Sequence, residues 1–377
     1  MEAGIESAHA LRDRPRLNPG PAATAGQAGL RAIGWPPPGQ PLPEGWPGAL
    51  AAHPDARPAR ILEQHRNGYL AAEGPDGGTM VESLPDWQRP RFPAEQRAAV
   101  GDWVLLEGSR IVALLPRTSL VKRAAAGEHY RQQPIAANVD VVLVVTGLDA
   151  DFNPRRIERY LLLVRGAGVQ PVVVLTKADQ PGVDAATAVA ALADVVAHDV
   201  PVVAVNARDP ESVAALDQWL RPGVTAALVG SSGAGKSTLT NTLLGEQRMK
   251  TAAVRERDSR GRHTTTWRSL VPLATGACLI DTPGMRELKP TGEEDLADGV
   301  FDDIRELAIR CRFRDCRHDS EPGCAIRAAL EAGELDPGRL ANYLKLRDEV
   351  AAARGTLRQR RAGEPPGGRN HGGSRTQ

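Results

Sequence analysis

Residues 226–237 read Ala-Ala-Leu-Val-Gly-Ser-Ser-Gly-Ala-Gly-Lys-Ser, an apolar strand that breaks on glycine and resumes as a helix. Gly230, Ser231, Ser232, Gly233, Ala234, Gly235, Lys236 and Ser237 fit G-x-x-x-x-G-K-[ST], and Thr238 continues the helix toward Leu244. In that setting the glycines let successive backbone N–H groups face an anion, and the helix start adds its dipole. Lys236 is placed to neutralise the β- and γ-phosphates of a nucleotide, and Ser237 to ligate Mg²⁺. A glycine-rich turn arising by chance is the bland alternative, and the matched strand and helix argue against it.

Around this loop the chain alternates buried strands and helices from Asn138 onward. The expected strands are Val139–Thr146, Val169–Leu175, Val202–Val205, Ala226–Val229, Thr266–Leu273 and Ala277–Ile280. The expected helices are Pro154–Gly166, Ala185–Ala197, Pro210–Leu220 and Lys236–Leu244. Together they predict a doubly wound α/β domain of about six strands. Ahead of it, from about Arg57, short β-like runs at Gly68–Ala72, Thr79–Leu84, Gly101–Leu106 and Arg110–Leu115 suggest a small barrel, and an OB-type barrel fits the size. Residues 1–56 are rich in Gly, Pro and Ala, include Pro36-Pro37-Pro38 and show no sustained period, so they are expected to be largely disordered. The expected division is an extension over 1–56, the barrel over 57–125 and the α/β domain over 126–289. A helical region with a Cys/His cluster covers 290–353, and a flexible basic tail 354–377.

A phosphate loop does not by itself separate one nucleotide from another. Thr176, Lys177, Ala178 and Asp179 follow the strand Val169–Leu175 and resemble the Asn-Lys-x-Asp motif with Thr in first place. The Asp carboxylate of that motif accepts hydrogen bonds from guanine N1–H and the 2-amino group, two donors that adenine lacks there. Lys177 would lay its stem over the base, and Asn206-Ala207, after the next strand, would offer a backbone N–H to guanine O6. Asp281, opening Asp281-Thr-Pro-Gly284 after the strand Ala277–Ile280, would hold Mg²⁺ through water, with the Gly284 N–H on the γ-phosphate. In ordinary GTPases the phosphate loop comes first; here the base reader precedes it, which is the order a circular permutation leaves.

Gly261-Arg-His-Thr-Thr-Thr266 lies in a polar stretch between the phosphate loop and Asp281. Thr265, or failing it Thr264, is the candidate switch threonine for Mg²⁺ and the γ-phosphate, unless these threonines merely begin the strand toward Leu273. Met285 stands where many GTPases carry a water-orienting Gln, so another group must orient the attacking water. A neutral His263 imidazole could accept a hydrogen bond from that water, and a solvated loop histidine is the competing reading.

Cys311-x4-Cys316-x-His318-x5-Cys324 offers three thiolates and an imidazole, the donor set of a closed structural Zn²⁺ site. The fourth cysteine, Cys278, lies far off in an expected core strand, which argues against a disulfide framework. A net charge of +1 favours no partner class, although local basic patches remain compatible with it. Met1–Arg16 lacks the apolar core of a secretory signal, and apolar runs such as Val141–Val145 fall far short of the roughly 20 residues of a membrane span. A cytoplasmic location is expected.

These residues together resemble the ribosome small subunit-dependent GTPase A family. The resemblance covers roughly Arg57–Arg354 and includes Val100-Gly-Asp-Trp-Val104, Leu115-Pro-Arg-Thr-Ser-Leu120, Ala137-Asn-Val-Asp140, Gly261-Arg-His-Thr-Thr-Thr266, Asp281-Thr-Pro-Gly284 and the Cys311–Cys324 motif. Thr176 departs from the commoner Asn. The resemblance implies a P-loop GTPase domain of circularly permuted order between an OB-type barrel and a helical zinc-binding domain. It implies GTP hydrolysis with Mg²⁺, one structural Zn²⁺, binding to the 30S subunit and its 16S rRNA, ribosome-stimulated turnover in late subunit maturation, and a monomer. A GTP-responsive RNA-binding module with negligible hydrolysis is the competing reading, kept open by Met285. A P-loop ATPase or kinase is a third, which stabilisation by GDP but not ADP would defeat.

Overall fold

The computed structural model describes residues 25–363 except 67, 90–91, 125–131, 151, 193–195, 197–198, 247–267, 282–288 and 297–298. Its centre is a parallel sheet. β8 (Val141–Gly147), β9 (Gln170–Thr176), β10 (Val202–Ala204), β11 (Thr225–Gly230) and β13 (Cys278–Asp281) run parallel, β12 (Ser269–Pro272) runs antiparallel, and the spatial order is β10-β9-β8-β11-β13-β12. Every residue of β8 is buried, as expected of a strand covered on both faces. Successive side chains divide between two layers. Val142, Val144, Val173, Leu175 and Val229 pack with α3 (Pro154–Arg165), whereas Leu143, Val145, Val172, Val174 and Leu228 face α5 (Pro210–Val213) and α6 (Lys236–Leu244).

The preceding strands are β1 (Arg57–His65), β2 (Gly68–Ala72), β3 (Thr79–Val81), β4 (Trp103–Glu107) and β5 (Arg110–Leu114). β1 pairs with β4 through its first half and with β2 through its second, while β2 pairs with β3 and β4 with β5. A parallel bridge between Glu82 and Arg110 joins the β3 end to β5, with Glu82 N–H donating to Ser109 O (2.9 Å) and Ile111 N–H to Glu82 O (3.0 Å). The five strands therefore close on themselves around Ile61, Tyr69, Val81, Trp87, Val104 and Ile111. β1 also pairs with β12 at Glu63 and Ser269, so both units share one continuous sheet.

Of the segment before β1, residues 1–24 lie outside the described residues and residues 25–56 depart from expectation. α1 (Ala25–Ala32) and α2 (Trp46–Ala52) flank a stretch that is packed, not disordered. Ile33 is fully buried, Trp35 meets both Trp46 and Trp103 at 4.9 Å between ring centroids, and Trp46 Nε1 donates to Pro116 O at 2.7 Å. A few bulky side chains anchor this segment, and single anchors leave no period to read. β6 (Leu120–Ala124) and β7 (Gln132–Ala137) form an unexpected antiparallel pair. Pro134 weakens the strand signal in the sequence, but it is accommodated opposite Lys122 at an irregularity in the register. Expected helices are trimmed: α4 is Ala185–Ala190, and 210–220 holds α5 and a single 3₁₀ turn at Ala214–Leu216.

Beyond residue 289 come α7 (Asp302–Ile309), α8 (Ala325–Glu331) and α9 (Pro337–Gly363). α9 continues past the expected start of the tail at 354. Ala353 is buried, and Arg354 donates to the carbonyls of Gly292 (3.3 Å) and Glu294 (3.0 Å), contacts that outweigh the helix-weakening Gly355. The helices dock on α3 through charge. Fully buried Glu158 accepts from Arg339 (2.8 Å) and Arg155 (2.6 Å), and Arg159 makes a two-bond pair with Glu349 (2.5 and 2.8 Å). No helix among the described residues is long and apolar enough to cross a membrane.

Arg60 ties the pieces together. Its guanidinium, 1% exposed, donates to Ile33 O, Gly101 O (3.2 Å), Asn138 O (3.3 Å) and Thr225 Oγ1 (2.8 Å), and lies over the Trp103 ring. Arg60→Ala should therefore cost about 3 kcal/mol or more, because buried acceptors lose their donor. Urea unfolding followed by fluorescence and circular dichroism should show a lower midpoint; an unchanged midpoint would contradict this role.

Candidate functional site

The carboxyl ends of the parallel strands share one edge, where open α/β sheets bind ligands. β11 ends on Gly230 at φ 148°, and a Cβ there would lie 2.1 Å from the Val145 carbonyl oxygen of β8. Gly233 (φ 85°) and Gly235 (φ 89°) hold left-handed turns that only glycine adopts freely. Lys236, the first residue of α6, is 8% exposed and donates from Nζ to Gly230 O (2.8 Å) and Ser231 O (2.5 Å). Its charge is thus held within the turn of the loop. Ser232 and Gly233 are exposed at the tip, Ala234 is buried, and Ser237 and Thr238 begin the helix half-buried.

The 176–179 loop is bolted to the 230–237 loop. Thr176, fully buried at the end of β9, donates from Oγ1 to Ala234 O at 2.6 Å, and a Cβ on Gly235 would sit 3.0 Å from that hydroxyl. The sequence departure at Thr176 therefore keeps a brace. Lys177 adopts φ 62° and pairs with Asp149; Ala178 N–H reaches Val205 O at 3.4 Å, and Asp179 is exposed. Just past the next strand, β10, Asn206 N–H donates to Ser212 Oγ (2.9 Å), and Ala207 O accepts from Thr242 Oγ1 of α6 (2.6 Å). Asp281 closes β13, buried at 6% exposure, one step beyond the Ala227–Ile280 register pair beside the phosphate-loop strand. Thr176–Asp179, Asn206–Ala207, Gly230–Thr238 and Asp281 are thus gathered at one edge. The expectations for His263, Thr264, Thr265, Gly284 and Met285 lie outside the described residues.

Cys311, Cys316, His318 and Cys324 present ligand atoms all within 4.8 Å of one another. Cys311 Sγ and Cys324 Sγ each lie 3.6 Å from His318 Nδ1 and 4.0 Å from each other. A tetrahedral ion bonded to sulfur at about 2.3 Å and to nitrogen at about 2.0 Å sets its ligands roughly 3.5–3.8 Å apart, so the group fits. His318 turns Nδ1 inward from a left-handed backbone (φ 66°), and burial, with Arg347 adding to it, lowers its pKa toward the neutral form a metal takes.

Two supporting residues escaped the sequence reading. Glu321 accepts from the backbone N–H groups of Arg317 (2.8 Å), Asp319 (3.0 Å) and Ser320 (3.2 Å), holding the loop that carries His318, and those bonds bring its pKa down to about 2. Asp149 follows β8 and binds Lys177. Neither belongs to a spaced motif; an acid just past a strand end is the only signal for Asp149.

A family model described as RsgA GTPase matches residues 114–291. The chain is 69% identical over 324 residues to the small ribosomal subunit biogenesis GTPase RsgA of Xanthomonas euvesicatoria pv. vesicatoria (strain 85-10), covering 86% of this chain and 89% of that relative. It is 68% identical, with the same coverage, to the protein of that name from Xanthomonas axonopodis pv. citri (strain 306). Among solved structures, YjeQ from Thermotoga maritima is similar at TM-score 0.56 and 24% identity, covering 78% of this chain and 99% of that one. YloQ, described as a circularly permuted GTPase, is similar at TM-score 0.51 and 22% identity, covering 80% and 96%. These two bear on the fold and agree with the permuted order of the gathered loops. With curated relatives matched across most of their length, the chain belongs to the RsgA GTPase family.

Proposed function

We propose that this GTPase hydrolyses GTP while bound to the 30S subunit and serves its late maturation; its relatives are named small ribosomal subunit biogenesis GTPases. The observation that carries the reading is the bond from Thr176 to Ala234, which fixes the base-reading loop to the phosphate loop on one sheet edge. Asp179 reads the guanine edge, Asn206-Ala207 faces O6, Lys236 and the loop N–H groups hold the phosphates, and Ser237 with Asp281 serves Mg²⁺. Thr265 and Gly284 complete the switch contacts, and His263 orients the attacking water.

The closed five-strand unit is read as an OB-type barrel contacting 16S rRNA, a use to which such barrels are often put. The Cys/His cluster is read as a structural Zn²⁺ site that staples the helical region, and the protein as a cytoplasmic monomer. Domain limits near 57, 126 and 290 belong to the same reading, the limit at 126 falling between the paired strands β6 and β7. The segment leaving Asp281 supports a mechanical link to them. Lys289 O accepts from Ala124 N–H of β6 (3.2 Å), Glu293 pairs with Lys122, and Arg354 of α9 holds Gly292 and Glu294. A nucleotide-driven change upstream of Lys289 would thus reach both β6 and α9.

GTP turnover should rise several-fold or more when purified 30S subunits are added; no stimulation would favour the GTP-responsive module without hydrolysis. His263→Ala should lower turnover about a hundredfold while nearly preserving GTP affinity, and equal loss of both would remove its catalytic role. Thr176→Val should weaken GDP binding about tenfold by leaving Ala234 O without its donor, seen as a smaller GDP-induced rise in Tm. Cys316→Ser should reduce zinc content, measured by mass spectrometry of the metal, from about one per chain toward none.

A further inference from the structure

The end of β8 emerges between the base-reading strand and the phosphate-loop strand, and its residues Gly147, Leu148 and Asp149 form a seat for Lys177. Leu148 N–H donates to Thr176 O at 2.9 Å, fixing the two backbones side by side. The left-handed conformation of Lys177 directs its side chain across Gly147. A Cβ on Gly147 would lie 3.2 Å from Lys177 Cε, 3.3 Å from Cδ and 3.2 Å from Asp149 Oδ1. At the far end the ammonium pairs with the Asp149 carboxylate, and both side chains are only about a quarter exposed, at 27% and 29%. A lysine stem held at both ends and laid over a glycine gives a flat apolar surface, whereas a free lysine would sample many rotamers.

We infer that Asp149 is a positioning residue for the nucleotide base, anchoring Lys177 so that its stem makes one wall of the base slot while Gly147 clears the space beneath it. This rests on the reading of 176–179 as the guanine reader. Asp149 acts through an aliphatic wall, so it supports every purine base with the same affinity increment. Asp179 alone reads the 2-amino edge. Because the pair is partly solvated, its effect is moderate and sensitive to salt.

The test uses the full chain and release of a fluorescent (methylanthraniloyl) GDP in stopped flow, with GDP, IDP and XDP as competitors. Asp149→Asn should speed release about three- to tenfold at low salt, with the GDP-to-IDP affinity ratio unchanged. Asp149→Glu, which keeps the charge, should recover most of the retention, and that recovery is not expected of a merely structural side chain. In a Lys177→Met background, which keeps the stem and removes the ammonium, adding Asp149→Asn should change release no further. Wild-type release in Asp149→Asn, or the same acceleration in the Lys177→Met background, would overturn the proposal. Asp179→Asn tests the underlying reading separately: it should shift preference from GDP toward XDP, and an unchanged preference would remove the guanine reader whatever Asp149 does.

Discussion

A guanidinium sealed from water has five N–H groups to satisfy, and the places where Arg60 finds acceptors determine how the molecule is assembled. They come from the N-terminal segment (Ile33), the β4 approach (Gly101), the linker (Asn138) and the phosphate-loop strand (Thr225). Burial lowers the pKa of Arg60, while Cys278, Asp140 and Asp102 oppose that shift. Burial likewise raises Asp102 and Asp140, each of which is also steadied by hydrogen bonds: Asp102 by Arg117 and the Ala99 N–H, Asp140 by the Thr225 N–H. The segments Val100–Val104 and Ala137–Asp140 thus supply this seam, at the opposite end of β11 from Gly230. Gly101 shows why substitution there is restricted: at φ 94°, a Cβ would lie 2.2 Å from Ala137 O.

The positions of the candidate nucleotide loops were legible in the sequence because their chemistry needs neighbouring residues in fixed order. Gly230–Ser237, Thr176–Asp179 and Asp281 all fall where strand ends were expected, and the four side chains Cys311, Cys316, His318 and Cys324 are brought together. What escaped depends on partners distant in the chain. Trp35 and Trp46 look like loop residues until Trp103 is set against them, since no local period marks a side chain buried by another unit. α9 outruns its composition because Arg354 finds carbonyls sixty residues away, as the separations of 62 and 60 positions to Gly292 and Glu294 show. Asp149 is invisible for the same reason: its meaning appears only when Lys177 folds over Gly147.

Permuting the chain moves its ends but leaves each loop at the edge it requires. It also decides which element each loop leads into. The stretch after Asp281 runs on to α7–α9, whose charges then seat on α3 through Glu158 and Arg159. The α/β unit is consequently clasped by flanking pieces from both sides in the sequence, and neither Arg60 nor Glu158 can be solvated without parting two elements.

The pairing of β1 with β12 has a separate consequence for the sheet as a whole. β12 would otherwise be an outer strand offering unpaired N–H and C=O groups to any passing extended chain, the usual starting point of strand-by-strand aggregation. Joining β1 there passes the hydrogen-bonding row into a unit that closes on itself, and the opposite border is β10, only three residues long. The closed five-strand unit is therefore also a stopper: it ends the sheet on one side while the shortness of β10 ends it on the other.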